Sequence, residues 1–282
     1  MTTNLKNNDR SIMVLITTYQ CESQISRVLA QLDEQTAPWV AEVAVIDNRS
    51  LDATALNTQK AFDELAPLAQ KHDVILTLLT NTENFNLGGS HKAGFTYALN
   101  KNYQHVVVLH GDDQGDLHDL LPALKEGLHQ QHDCVLGGRF MPGSKLGAGY
   151  GWFRRFGNYV FLLLFTLFCN RVTWDMGSGL NLYNRKVIET GDHIFAADNL
   201  TFHCYFLLNM FARGRDIIYV PITWREDDQV SNAKLFRQSW EIFRILLSYR
   251  FRKRKFLSCK YGNHAIDEYK TEISVQINPL QT

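Results

Sequence analysis

The sequence predicts an α/β fold with a mostly parallel central sheet, and three observations carry that prediction. Over roughly the first 140 residues, short β-branched runs alternate with longer helical patterns, the signature of strands joined by crossover helices. Polar residues gather just after four of those runs, where open sheets of this kind bind ligands. The 282 residues are 45% hydrophobic and 21% charged, so a sizeable core can be buried in an ordinary globular chain.

The elements follow in order. Ile12–Ile16 is the first strand, and behind it Ile25, Val28, Leu29 and Leu32 recur at helical spacing, so Ser23–Gln35 reads as a helix with Ser23 as N-cap. Val43–Ile46 is the second strand, followed by a helix that Asp52 is placed to cap. Val74–Leu79, Val106–Leu109 and Cys134–Leu136 supply three more strands, with a helix opening near Gly89. The longest strongly apolar stretch is Tyr159–Cys169. At about 1.5 Å per helical residue it reaches about 16 Å of a bilayer core of about 30 Å, so it is a core helix or an interfacial segment and not a span. Leu235–Tyr249 reads as an amphipathic helix, with Phe236, Trp240, Phe243 and Leu247 on one side and Arg237, Glu241, Arg244 and Ser248 on the other. Arg250-Phe251-Arg252-Lys253-Arg254-Lys255 follows directly. This is a membrane-surface pattern, and it is also the pattern of a helix packed on the core with a solvated basic end. A last short strand is expected at Ile273–Ile277.

Several classes are disfavoured. With 29 basic residues against 29 acidic and a pI near 7.1, the chain lacks the basic excess of a nucleic-acid binder. Its five cysteines are scattered, without C-x-x-C or zinc-finger spacing, which points to a reducing compartment. The apolar run Ile12–Ile16 is too short for a signal peptide, so a cytosolic start is expected. No G-x-G-x-x-G follows the first strand, which argues against nicotinamide or flavin chemistry, and no internal repeat is found.

The loops after the strands are Thr17-Thr18-Tyr19-Gln20, then Asp47-Asn48-Arg49-Ser50 with Asp52 and Thr54, then Asn84 to Lys92, then His110-Gly111-Asp112-Asp113-Gln114. Converging on one sheet edge, they predict a pocket for a polyhydroxylated, charged ligand.

In this order and spacing, ITTYQCE, VIDNRSLDAT, NFNLGGSHKAG and VVVLHGDDQ resemble the family 2 glycosyltransferases. GGRF, DMGSGLNLY, VPITW and a following S-x-x-K look like the polyprenyl-phosphate (dolichol-phosphate) mannosyl- and glucosyltransferases in particular, over roughly Ile12 to Tyr249. The resemblance implies a nucleotide-diphospho-sugar transferase (GT-A type) fold and an inverting, metal-dependent enzyme. It implies that Asp47 accepts a hydrogen bond from the nucleotide base, although a turn or helix cap would also account for an aspartate there. Thr17 and Tyr19 would wall in the nucleotide. In the family's D-x-D-x-Q pattern the acidic pair and the glutamine help bind a divalent metal, Mn or Mg, on the sugar diphosphate; His110, Asp112 and Gln114 occupy those positions here. Such an ion would neutralise charge developing on the pyrophosphate leaving group. Imidazole suits manganese, iron or zinc better than magnesium, so His110 either shifts metal preference or donates to a phosphate; a structural histidine is the alternative. Asp113 adds a second carboxylate that would compensate for His110 at the metal and counts among the nucleotide-sugar-binding residues, with a solvated turn as the alternative reading of the acidic pair.

On the acceptor side, Arg139 matches the family arginine near the reacting phosphates and Arg225 falls near another. Arg154 and Arg155 are either a solvated basic pair or headgroup contacts, while Ser178 and Lys234 fall in the acceptor motifs. Two positions depart from the pattern: Asn181 stands for an arginine, and Tyr205, sixteen residues before Pro221, for a glutamate. A phosphate monoester is anionic near neutrality and attacks without a base, so its site needs cations and an apolar entry. Trp152, Phe153, Arg154, Arg155 and the apolar run to Cys169 supply both.

The expected division is a catalytic domain over residues 1–230 and an interfacial helix, polybasic cluster and tail over 231–282. The expected function is transfer of a hexose from a nucleotide-sugar to a polyprenyl phosphate by an enzyme held peripherally at the cytosolic membrane face, with a homo-oligomer allowed. Two competitors stay open. One is an enzyme with a sugar-hydroxyl acceptor, for which Asp175, Asp227 or Asp228 would be the base. The other is a non-catalytic nucleotide-sugar-binding module, suggested by His110, Asn181 and Tyr205.

Overall fold

The computed structural model describes residues 11–147, 151–225 and 233–279, apart from the side chains of 153, 154, 233–236 and 266. The strands are β1 (Ile12–Thr18), β2 (Val40–Asp47), β3 (Ile75–Asn81), β4 (His105–His110), β5 (Cys134–Gly138), β6 (Lys145–Leu146), β7 (Leu180–Asn184), β8 (Ile217–Pro221), β9 (Thr223–Trp224) and β10 (Thr271–Ile277). The helices are α1 (Ile25–Leu29), α2 (Thr54–Lys71), α3 (Asn86–Asn100), α4 (Leu121–Lys125), α5 (Leu128–Gln131), α6 (Trp152–Cys169), α7 (Arg185–Glu189), α8 (Phe202–Ala212), α9 (Ala233–Phe251) and α10 (Lys253–Ser258).

Eight strands form one sheet in the order β10-β3-β2-β1-β4-β7-β5-β8. β3, β2, β1 and β4 run parallel, so their carboxyl ends, Asn81, Asp47, Thr18 and His110, share one edge. The first strand shows why these runs read as continuously apolar: Val14 and Ile16 enter one core layer, Met13 and Leu15 the other, and both faces are covered.

The expected strands are all present, with ends that differ by one to three residues; the third begins at Ile75, one residue later than expected. The first helix is shorter than its periodicity suggested. Cys21 O accepts from Gln24 N and Ile25 N at 3.0 and 2.9 Å, so Gln24 and not Ser23 opens the helix, and Ala30 closes it. Ala53, not Asp52, stands at the N-cap of α2, but Asp52 Oδ1 accepts from Thr54 N at 3.0 Å from one residue further out. β7 was not anticipated; it enters antiparallel between β4 and β5 and brings the 175–179 loop to the ligand edge. The expected tail strand is β10, antiparallel on β3, so the segment set apart as a tail rejoins the main sheet.

A third apolar cluster joins α6, α8, α9 and α10: Phe165, Cys204, Leu208, Ile245, Leu246, Tyr249 and Phe256. It corrects the reading of α9. At about 100° per residue, Ile242, Ile245, Leu246 and Tyr249 lie opposite Trp240, so the buried side is not the one the aromatic spacing suggested. Trp240 is left exposed. On α6, Trp152, Phe156, Tyr159, Val160, Leu163 and Leu167 form an exposed stripe, while Leu162 and Phe165 face inward. Among the described residues no helix is long and apolar enough to cross a membrane.

Candidate active site

The site lies at the carboxyl edge of the parallel strands. Thr17 is the penultimate residue of β1, its Oγ1 buried and without a hydrogen-bond partner among the described residues, and Tyr19 stands exposed just past the strand. The β4 turn presses against this strand: Gly111 N donates to Thr17 O at 3.0 Å, and a Cβ on Gly111 would lie 2.5 Å from Thr18 Cγ2. Only glycine permits that approach. Asp47 ends β2, buried, and both its oxygens accept from Ser50 N at 3.2 and 3.3 Å. It therefore shapes its own turn, with lone pairs left over. Behind it, Asn48 Oδ1 accepts from Asn81 Nδ2 and Phe85 N at 2.8 and 2.9 Å, tying β2, β3 and the entry to α3 together.

The structure separates the roles of the acidic turn. Asp113 is gripped by Arg27 Nε at 2.7 Å and by an Arg225 guanidinium N–H at 3.1 Å; a second N–H of Arg225 reaches Asp116 at 2.6 Å. Asp113 is thus an anchor for two arginines and not the spare metal carboxylate suggested by its position. Among the described residues Asp112 forms no ion pair, and it accepts from Gln114 N at 3.2 Å. Burial, with the Asp113 charge adding to it, pushes its carboxyl up to about 6. Divalent cations of the Mn or Mg kind take carboxylate and amide oxygens, so Asp112 and the nearly buried Gln114 fit such an ion.

His110 is placed differently from its sequence neighbours. Its Nε2 lies 3.3 Å from His203 Nε2, and its ring packs edge-on to His91 at 5.5 Å. A Cβ on Gly179 would fall 2.8 Å from His110 Cγ, so this glycine admits the ring. Burial, with the Arg139 charge, pushes His110 down to about 4; burial pushes His91 down to about 3 and His203 well below the usual range.

On the acceptor side, Arg139 makes a two-pronged pair with Asp175, Nε to Oδ2 at 2.6 Å and a terminal N–H to Oδ1 at 2.8 Å, and stacks over Trp224 at 4.7 Å. The pairing offsets both charges, so neither a free phosphate cation nor a free base stands here. A pocket beside the pair is bounded by Asp175, Gly177, Ser178, Asn181, His203 and Tyr219. Ser178 is turned inward, its hydroxyl donating to Leu180 O at 3.0 Å, so it shapes the loop and offers no hydroxyl to an acceptor. The unexpected residues serve packing: Asn181 donates to Ser178 O at 2.7 Å, and Tyr205 stacks on Phe256 and Tyr261 at 5.5 and 4.2 Å, holding the C-terminal segment. Arg155 is exposed on α6. The side chains of Arg154 and Lys234, and all of Asp227 and Asp228, lie outside the described residues.

His203 and the Arg27 contact escaped the sequence reading because each meets its partner across a large separation, 93 and 86 residues. A histidine inside FHCYFLLNMFA, a helix otherwise apolar except for Asn209, is the signal that marks His203.

A parallel sheet whose carboxyl edge carries Thr17, Asp47 and an acidic turn, with β7 inserted antiparallel, defines a GT-A nucleotide-sugar transferase. Comparison with known proteins agrees. The sequence model described as Glycosyl transferase family 2 matches residues 13–191, and the chain belongs to that family; it is a glycosyltransferase. Among curated relatives, it is 23% identical over 216 residues to the undecaprenyl-phosphate mannosyltransferase of Micrococcus luteus, covering 76% of this chain and 84% of that one. It is 26% identical over 219 residues to the polyprenol monophosphomannose synthase of Mycolicibacterium smegmatis, covering 76% and 77%. Among solved structures, glucosyl-3-phosphoglycerate synthase from Mycobacterium tuberculosis, in complex with Mn2+, uridine diphosphate and glucosyl-3-phosphoglycerate, superposes with a TM-score of 0.61 at 16% identity, over 86% of this chain and 80% of that one. That likeness shows the shared fold.

Proposed function

We propose that this glycosyltransferase moves a hexose from a nucleotide-diphospho-sugar to a polyprenyl phosphate while docked on the cytosolic face of a membrane. The observation that carries the reading is the exposed apolar stripe of α6 beside a cluster of cations. Phe168 near the end of α6 meets Phe251 at 6.4 Å, and Arg250, Arg252, Lys253, Arg254 and Lys255 are all exposed around that point. Apolar side chains flanked by cations suit an anionic leaflet that also delivers the lipid acceptor. Two curated relatives named for polyprenol-linked mannose products support the same acceptor class.

The donor would lie across β1, β2 and β4, with its base beside Asp47, walls from Thr17 and Tyr19, and its diphosphate at the β4 turn. Asp112 and Gln114 would hold a divalent ion, which when bound supplies charge neutralisation for the leaving pyrophosphate. Arg27 and Arg225 hold the turn in place through Asp113. Arg139 would serve the acceptor side by exchanging part of its Asp175 pairing for the incoming phosphate. A phosphate anion attacking in line from the opposite face would invert the anomeric centre without a protein base. A hydroxyl acceptor would need such a base, and Asp175 is committed to Arg139.

The test is incorporation of labelled sugar from a donor panel into lipid-extractable product, with manganese or magnesium and a short polyprenyl phosphate. Acid-labile glycolipid is the expected product. Transfer to sugar hydroxyls with none to lipid phosphate would overturn the proposal.

A further inference from the structure

The three histidines have no part in that scheme, yet they are arranged for ligation. His91 comes from α3, His110 from the end of β4 and His203 from α8, and one ring nitrogen of each lies within 4.8 Å of the others. Two imidazole nitrogens bound to one tetrahedral zinc at about 2.0–2.1 Å stand about 3.3–3.4 Å apart. His110 Nε2 and His203 Nε2 are separated by 3.3 Å. His91 supplies an independent sign. Its Nδ1 donates to Leu87 O at 2.8 Å, which fixes the tautomer and leaves Nε2 as the lone pair. That Nε2 is fully buried and has no hydrogen-bond partner among the described residues. A ligating histidine typically donates its other N–H to a carbonyl in this way.

Packing alone explains the cluster poorly. His91 stacks on Phe202 at 4.9 Å, a contact phenylalanine would make as well. A single N–H between His110 and His203 satisfies one pair of nitrogens and leaves His91 Nε2 orphaned, whereas an ion would engage all three.

We propose that His91, His110 and His203 form a three-imidazole site for a late first-row divalent ion, with zinc the best match. Nitrogen donors favour zinc over magnesium, and tetrahedral three-histidine sites are zinc sites with a fourth position for water or a substrate oxygen. Among the described residues no fourth histidine, cysteine or carboxylate joins the group, so that position is open. The site ties α3, the end of β4 and α8 together, and requires neither Asp112 nor a nucleotide-sugar.

The experiment is metal titration of the full chain after chelator dialysis, read by elemental analysis for zinc and by visible absorption for cobalt. One equivalent of zinc and the intense d–d bands of tetrahedral cobalt are expected. His91→Gln and His203→Gln should each weaken binding by on the order of a hundredfold or more, since loss of an outer-shell partner alone costs about 10–100-fold. Asp112→Asn should retain both signals. Absence of stoichiometric zinc, unchanged binding in both folded histidine variants, or loss of the ion in Asp112→Asn would each overturn the site. If the histidine variants do not fold, an octahedral cobalt spectrum of the unmodified protein overturns it alone. Lipid transfer is read separately, so failure of one proposal leaves the other standing.

Discussion

Leu163→Gln together with Leu167→Gln separates membrane docking from folding. Both leucines lie on the outer stripe of α6 and are 59% and 63% exposed, so replacing them removes little from the core. Complete burial of a leucine is worth about 1.5–3 kcal/mol, and insertion would bury the exposed three-fifths or so, about 1–2 kcal/mol each. The pair is then worth about 2–4 kcal/mol, or roughly 30- to 700-fold in partitioning at 1.4 kcal/mol per tenfold. The five exposed cations of residues 250–255 add up to about 1 kcal/mol each near an anionic leaflet, a contribution that salt screens over about 8 Å. Vesicle flotation distinguishes the two. The double variant should lose binding at every salt concentration, whereas glutamine at the five basic positions should remove only the dependence on salt and anionic lipid. Wild-type flotation by the leucine variant, with an unchanged melting curve, would refute docking through α6. If the unmodified chain dimerises through this stripe and fails to float, the surface belongs to a second copy.

Asp112→Asn should leave the fold intact and reduce transfer by about a hundred- to a thousandfold, the usual loss when charge stabilisation at a reacting centre is removed; single-turnover assays check this. Because burial raises Asp112 to about 6, protons should compete with the ion below that value. Metal-dependent donor binding, read by thermal shift, should therefore be strong at pH 7.5 and fall at pH 5. Lys92→Met strikes a buried ion pair with Asp198 at 2.7 Å. Breaking such pairs costs about 3–5 kcal/mol, and the lower end is expected because Tyr269 and Asn263 still donate to Asp198; urea unfolding reads the change. Burial pushes His118 down, but hydrogen bonds to Asp33 and Asp116 push it up by more, so its folded value lies above 6.5. Its stabilisation is then complete below 6.5 and lost as pH rises through the folded value. With a third of the side chain exposed, it is worth at most about 1 kcal/mol. His118→Gln should destabilise at pH 6 and have little effect at pH 9.

The amino-acid sequence by itself determined the parallel strands and the loops that end them, because those signals are local. A short apolar run rich in β-branched residues and closed by polar turn residues, such as Met13–Ile16, reads as a strand buried on both faces, and the polar residues after it lie at the sheet edge. Thr17, Asp47 and Asp112 were legible for that reason. Tertiary structure alone decided which side chains meet. Arg139 and Asp175 are 36 residues apart, Arg27 and Asp113 are 86 apart, and their pairing follows from the antiparallel insertion of β7 and the docking of α1, which local periodicity does not encode. The gathering of His91, His110 and His203 likewise depends on α3 and α8 lying on one side of the sheet. In α9 the sequence offers apolar residues on two sides. Packing selected Ile245, Leu246 and Tyr249, because α6 and α8 present Phe165, Cys204 and Leu208 to that side, and Trp240 was left to the solvent.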